Sequence, residues 1–95
     1  MKIQSVRHKG LKRFIAKNDR SLLSPDYIEQ ISALLQAINS ASDIGELLAA
    51  PGRWHPLRGG RKGDFAGRVS KNWRMTFRYI AADNAVEILD LDDYH

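Results

Sequence analysis

The chain contains no cysteine, so disulfides and thiolate metal sites are both excluded. No apolar run approaches the ~20 residues needed to cross a bilayer. The opening Met1-Lys2-Ile3-Gln4 is too polar for a signal peptide. No Lys or Arg occurs between residues 21 and 52, and none again after Arg78. The metal-binding spacings His-x3-His and His-Glu-x2-His are missing, as is the Gly-Lys-Ser/Thr ending of a nucleotide-triphosphate loop. These absences predict a soluble, cytoplasmic protein with no membrane segment, no metal and no small-molecule cofactor. Its 95 residues make one domain, 1–95. A chain of that size buries about 60–70% of its unfolded surface, enough for one core without staples.

What is present is charge in blocks. Residues 1–20 carry +6, 21–52 carry −4, 53–78 carry +7 and 79–95 carry −5, for a net charge of +4. Alternation on this scale gives a molecule with distinct electrical sides. A basic side implies a polyanionic partner, although runs of charge also occur on plainly solvated faces.

The stretch 53–78 holds eight Arg/Lys, one histidine (His55) and a single acid, Asp64. From Trp73 the residues alternate: Trp73, Met75, Phe77 and Tyr79 on one side, Arg74, Thr76 and Arg78 on the other. Period two predicts a half-buried strand whose apolar side makes core and whose second side presents guanidinium groups.

Elsewhere the periods are different. Lys2 to Val6 is a short strand with imperfect alternation. His8 to Asn18 is a helix with Leu11, Phe14 and Ile15 as its core stripe, and Gly10 is expected to loosen its first turn. Ser24-Pro25 opens a second helix, with Ser24 as N-cap and Ile28, Ile31, Leu34, Leu35 and Ile38 as its apolar stripe. A shorter helical segment, Ile44 to Ala49, ends at Pro51-Gly52. Trp54 to Leu57 is a short extended piece. Phe65 to Ser70 and Trp73 to Ile80 form a hairpin about Lys71-Asn72, and Val86 to Leu91 is the last strand. Helices first and a meander afterwards predict an α+β fold: a small antiparallel sheet with two N-terminal helices packed on one face, in the order β-α-α-(α)-β-β-β-β.

Two groups are candidates for chemistry. The turn Gly59-Gly60-Arg61-Lys62-Gly63 can offer cations to a phosphate or serve only as a loop. His95 stands beside Asp92, Asp93 and its own carboxylate, and nearby negative charge favours the imidazolium. Such a histidine can act as a general acid near neutral pH, whereas a frayed terminus does nothing.

Several of these residues together resemble the HigB-like toxins of the RelE/ParE superfamily. The matching features are an early strand leading into His8-Lys9-Gly10-Leu11, then His55-Pro56-Leu57 and Gly59, Gly63, Arg68-Val69, Trp73-Arg74-Met75 with Phe77, and the terminal Asp93-Tyr94-His95. The chain departs from the family at Phe65-Ala66-Gly67, where Gly67 is expected to weaken or bulge the strand and so alter the aim of Arg68.

The resemblance implies the RelE-like fold and a toxin of a type II toxin–antitoxin pair. It implies a ribosome-dependent endoribonuclease that cleaves mRNA without a metal, inhibits translation and arrests growth. Its partners would be the ribosome with its mRNA and a cognate helix-turn-helix antitoxin. On that reading His55 and His95 are the acid–base candidates, Arg74 stabilises the transition state with Arg68 beside it, Tyr94 stacks on a base or bonds a phosphate, and Asp93 orients a histidine. Lys9, Arg58, Arg61, Lys62 and Lys71, together with Lys12 and Arg13, would grip RNA backbone. The alternatives are a gyrase-directed ParE-like toxin on the same scaffold and a non-catalytic RNA-binding module.

Overall fold

A computed structural model describes residues 1–93. The elements are β1 (Lys2–Ile3), α1 (Lys9–Lys17), α2 (Ile28–Ser40), α3 (Ile44–Ala49), β2 (His55–Pro56), β3 (Asp64–Arg68), β4 (Trp73–Ile80) and β5 (Ala85–Asp93). The expected α+β order is therefore found. The sheet runs β1-β5-β4-β3-β2, antiparallel from β2 through β5. β1 joins the far edge in parallel with β5, which the helical crossover between them makes possible. Among the described residues no helix is long and apolar enough to cross a membrane.

Helix α2 makes most of the helical contribution to the core. Its expected stripe, Ile28, Ile31, Leu34, Leu35 and Ile38, is buried at every position. Each such side chain contributes about 1.5–3 kcal/mol by leaving water. The helix enters through a 3₁₀ turn, Pro25–Tyr27, started by the Ser24 carbonyl accepting from Tyr27 N–H at 3.0 Å. The Ser24 side chain makes no cap bond, so the expected cap is supplied by backbone alone.

Helix α1 is held differently. His8 is its N-cap, with Nδ1 accepting from Leu11 N–H at 3.2 Å. Asn18 closes it in the left-handed region at φ 54°. Leu11 is fully buried, but Ile15 is 43% exposed and is not part of the core stripe. Ile15 instead lines a surface groove with Ile3, Phe14 and Leu35. Gly10 packs rather than loosens. A Cβ there would stand 3.0 Å from Leu23 Cδ2 and 3.1 Å from the Leu22 carbonyl, so its absence lets the 22–23 segment lie against the helix.

The strands alternate as their sequence demands. Met75 and Phe77 join Trp54, Val86, Leu89 and the helical residues in one hydrophobic cluster, with Phe65, Trp73, Tyr79 and Leu91 at its margin. The hairpin between β3 and β4 closes with Val69 and Ser70 N–H both donating to the Trp73 carbonyl at 3.0 Å.

Gly67 produces no bulge, contrary to expectation: β3 stays in unbroken register with β4 from Asp64↔Arg78 to Arg68↔Arg74. The reason lies across the core. A Cβ on Gly67 would come within 2.6 Å of the Trp54 ring, so the glycine exists to seat that indole. The register shift falls instead between β4 and β5, between Thr76 and Arg78. There Ile88 takes φ 55°, a strained conformation for a β-branched residue. Ser5 holds it, with Oγ accepting from Ile88 N–H at 2.8 Å and the Ser5 carbonyl accepting from Leu89 N–H at 3.1 Å. This junction also explains the imperfect period of the first strand. Its regular part ends at Ile3, and both Ile3 and Val6 pack against the core.

Candidate functional site

Directly opposed residues of an antiparallel sheet share a face, so the register assigns the side away from the helices. Three rows cross it. Arg68, Arg74 and Asp92 form one; His55, Ala66, Thr76 and Asp90 the next; Asp64, Arg78 and Glu87 the third. Ala66 and Thr76 are almost wholly buried, at 0% and 2% exposure, yet neither belongs to the hydrophobic cluster. Small side chains at the centre of this face lie beneath longer charged ones.

Those charged side chains form a continuous network. Asp64, one of only two buried polar side chains among the described residues, accepts from Arg78 Nε at 3.0 Å and from Arg61 Nε at 3.3 Å. Arg61 then reaches on to Asp92, Nη1 to Oδ2 at 3.0 Å. The same Asp92 oxygen accepts from Arg74 Nη2 at 3.0 Å and Arg74 Nε at 3.3 Å. Arg61 is thus anchored on both sides of the Ala66–Thr76 row and bridges over it. Partial burial works to raise the Asp92 carboxyl, but hydrogen bonds from Arg74 and Arg61, and their charges, outweigh it. The net result lies below the ordinary 3.8.

Arg68 faces Arg74 directly across β3 and β4. Like charges so placed are destabilising in a sheet, and Arg68 has no carboxylate partner among the described residues. Its backbone is fixed from two sides, with N–H donating to the Gly52 carbonyl at 2.8 Å and C=O accepting from Gln30 Nε2 at 2.9 Å. Two guanidinium groups held side by side on a rigid strand pair make a site for an oxyanion.

His55 is exposed, one row away from that pair. Its Nδ1 lies 2.9 Å from the Arg53 carbonyl. A carbonyl can only accept, so Nδ1 carries hydrogen and Nε2 is the nitrogen left for proton transfer. Arg53 adopts φ 55° in providing this contact.

The other candidate residues are distributed unevenly. Arg58 and Lys62 are exposed in the turn between β2 and β3, and Lys71 is exposed at the tip of the β3–β4 hairpin beyond Arg68 and Arg74. Lys9, Lys12 and Arg13 are exposed on α1, in the helical layer and apart from the open face. Asp93 pairs with Trp73, one step past Arg74↔Asp92. Alternation therefore turns it away from the face that carries Arg74. Tyr94 and His95 lie outside the described residues. No three His, Asp or Glu side chains among the described residues converge as a metal site requires.

Sequence reasoning passed over Asp64 and Asp92 as members of this site. A signal existed for the first, since one acid among eight cations is poised to bridge them. For Asp92 the signal appears only once the β4–β5 register is known.

The chain is 41% identical over 93 residues to a protein named Endoribonuclease HigB from Proteus vulgaris, covering 98% of this chain and 99% of that one. Among solved structures it is similar to the conserved hypothetical protein HP0892 from Helicobacter pylori, with a TM-score of 0.47 and 18% identity. That alignment covers 99% of this chain and 96% of the other. A family model described as the RelE-like toxin of the type II toxin–antitoxin system, HigB, matches residues 4–95. A match across nearly the whole length, with a relative well above 30% identity, places this chain in the HigB-like toxin family of type II toxin–antitoxin systems.

Proposed function

We propose that this protein is an endoribonuclease that cleaves mRNA on the ribosome by attack of a ribose 2′-hydroxyl on the adjacent phosphate. The observation that carries the reading is the Arg68–Arg74 pair, facing each other on the open sheet face with His55 in the neighbouring row. The relative named as an endoribonuclease, matched end to end, supports the same reaction class.

In this scheme a base takes the 2′-hydroxyl proton and the 2′-oxygen bonds to phosphorus. The bond to the 5′-oxygen breaks, an acid protonates that oxygen, and a 2′,3′-cyclic phosphate remains. Negative charge builds on the nonbridging oxygens at the phosphorane, where paired guanidinium groups stabilise it more than they stabilise the substrate. Arg74 and Arg68 fill that role. His55 works through Nε2, and His95 is the other proton-transfer group. Tyr94 stacks on a base or bonds a phosphate. Asp93 orients the terminal histidine. Arg58, Lys62 and Lys71 hold ribosomal or message backbone at the edges of the face, and Lys9 does so from α1.

Membership in a type II family implies an antitoxin partner. A helix-turn-helix protein encoded alongside is the partner expected, and the toxin acts in the cytoplasm, where the ribosomes are.

The deciding experiment compares wild type with Arg74→Ala on ribosomes programmed with a defined message. The variant should bind ribosomes normally and cleave about a hundredfold more slowly, the scale of losing one transition-state donor. Wild-type cleavage by Arg74→Ala removes that residue from the site. A wild-type protein that leaves message intact but blocks DNA supercoiling, or only binds RNA, overturns the nuclease reading.

A further inference from the structure

We propose that Asp92 is a positioning residue of the phosphate site: it fixes the Arg74 guanidinium and ties the glycine-rich turn across the open face through Arg61. This rests on the proposed function above. Its basis is one oxygen. Asp92 Oδ2 takes Arg74 from Nε and Nη2 at 3.3 and 3.0 Å, and Arg61 from Nη1 at 3.0 Å. Two guanidinium groups repel when they converge on one point, unless a negative charge lies between them. Asp92 is that charge, and its depressed proton affinity keeps it ionised across the neutral range.

The near side of the Arg61 guanidinium, Nε, is fixed by Asp64, itself held by Arg78. Arg61 therefore spans the face as a strap between two carboxylates. Its guanidinium is committed to them, and gripping RNA backbone, the role the sequence suggested, falls to Arg58 and Lys62. Charge counting favours positioning over blockade. On the open face five arginines (7, 61, 68, 74, 78) stand against four acids (64, 87, 90, 92), which leaves one net positive charge. That surplus suits a phosphodiester without displacement of Asp92.

Removing the Asp92 charge should have opposite effects on binding and turnover. The face becomes more positive, so substrate binds equally or more tightly. Arg74 loses its fixed orientation, so the transition state is met less well. A residue that only stabilises the fold would not tighten binding while slowing turnover.

The test measures message cleavage for wild type, Asp92→Asn, Arg74→Ala and the double variant, with melting curves to confirm folding. Asp92→Asn should lower kcat about tenfold at an unchanged or lower KM, and the double variant should be no slower than Arg74→Ala. Wild-type kcat in Asp92→Asn, or losses that multiply in the double variant, overturn the proposal. A raised kcat would mean that Asp92 blocks the site, and overturns it equally.

A readout free of activity accompanies these measurements. The Nε–H resonance of Arg74 should exchange slowly in wild type and be lost to exchange in Asp92→Asn. Arg78, bonded at Nε to Asp64, serves as the internal control. An Arg74 resonance untouched by Asp92→Asn sinks the positioning role. Absence of cleavage by the wild type would instead sink the nuclease reading, leaving the resonance to decide the role of Asp92.

Discussion

The two faces of the sheet are built from the same strands and obey opposite rules. On the helix side, Met75 and Phe77 alternate into a cluster with Leu11, Ile31, Leu34 and Ile38, all at most 1% exposed. On the other side the intervening residues are Arg74, Thr76 and Arg78, tied by Asp64 and Asp92 into a charged network. The first face gains stability from the removal of apolar area from water. The second has like charges opposed at Arg68 and Arg74, which detracts from stability. A small protein with one sheet can thus assign its folding energy to alternate positions of a strand and leave the positions between them for charged side chains. Substitutions on the two faces should separate stability from activity.

Phe77→Ala should be the largest disturbance. Phe77 is 1% exposed and packs against both Trp54 and Phe65, with ring centroids 6.0 and 5.8 Å away. Emptying that position should cost about 3–5 kcal/mol of stability, read as a fall in the urea midpoint. Any loss of activity should follow the unfolded fraction. A stable Phe77→Ala protein would mean that the helix-facing side is not where folding energy is concentrated.

Gly67→Ala comes next and tests the same side from a residue with no side chain. The added methyl would overlap the Trp54 ring at 2.6 Å, and overpacking of this kind costs about 1–3 kcal/mol. Tryptophan emission should shift as the indole is displaced. An unshifted spectrum with unchanged stability would show that Trp54 has room to move.

Arg68→Ala should invert the pattern. Turnover should fall about tenfold, since one of the two guanidinium groups proposed to meet the phosphate is removed. The melting temperature should hold or rise, because the repulsion with Arg74 goes with it. A variant both slower and less stable would indicate that Arg68 contributes to the fold.

Much of this was legible in the sequence, and what was hidden has a common cause. The α2 stripe and the β4 alternation follow from local period, and each is found as expected. The β3–β4 hairpin is found too, but β3 ends at Arg68 rather than Ser70 and its loop runs over 69–72 rather than Lys71-Asn72 alone. The surprises depended on distant partners. Ile15 has a helical stripe's spacing but no facing element to bury it. Gly67 looked like a weak point and proved to be the seat of a tryptophan thirteen residues earlier in the chain. The parallel pairing of β1 with β5 joins the two ends of the described chain. Asp92 was read beside His95, its neighbour in sequence, whereas its partners are Arg61 and Arg74, 31 and 18 residues away. Local chemistry named the cations; only the strand register could say which acid they meet.

The smallest expected effect concerns that acid and the pH at which the open face begins to cost stability. The Asp92 carboxyl is depressed below 3.8 in the folded chain. The unfolded chain therefore takes up this proton first as pH falls, and stability drops where it does so. The contribution is complete above about pH 5, declines as pH passes through the ordinary and then the folded value, and is absent below both. Asp92 is partly open to solvent, so the amount is modest. Wild type should accordingly melt slightly above Asp92→Asn at pH 7, with the gap narrowing as pH falls below about 4. High salt should narrow the neutral-pH gap, because it screens the Arg61 and Arg74 attractions that create it. The helix-facing side contains no charge to titrate among its clustered residues, so Phe77→Ala should lose the same stability at pH 7 as at pH 4. A gap between wild type and Asp92→Asn that persists unchanged to pH 3 would mean the carboxylate acts through shape rather than charge, and the electrical distinction between the two faces would fail at its central residue.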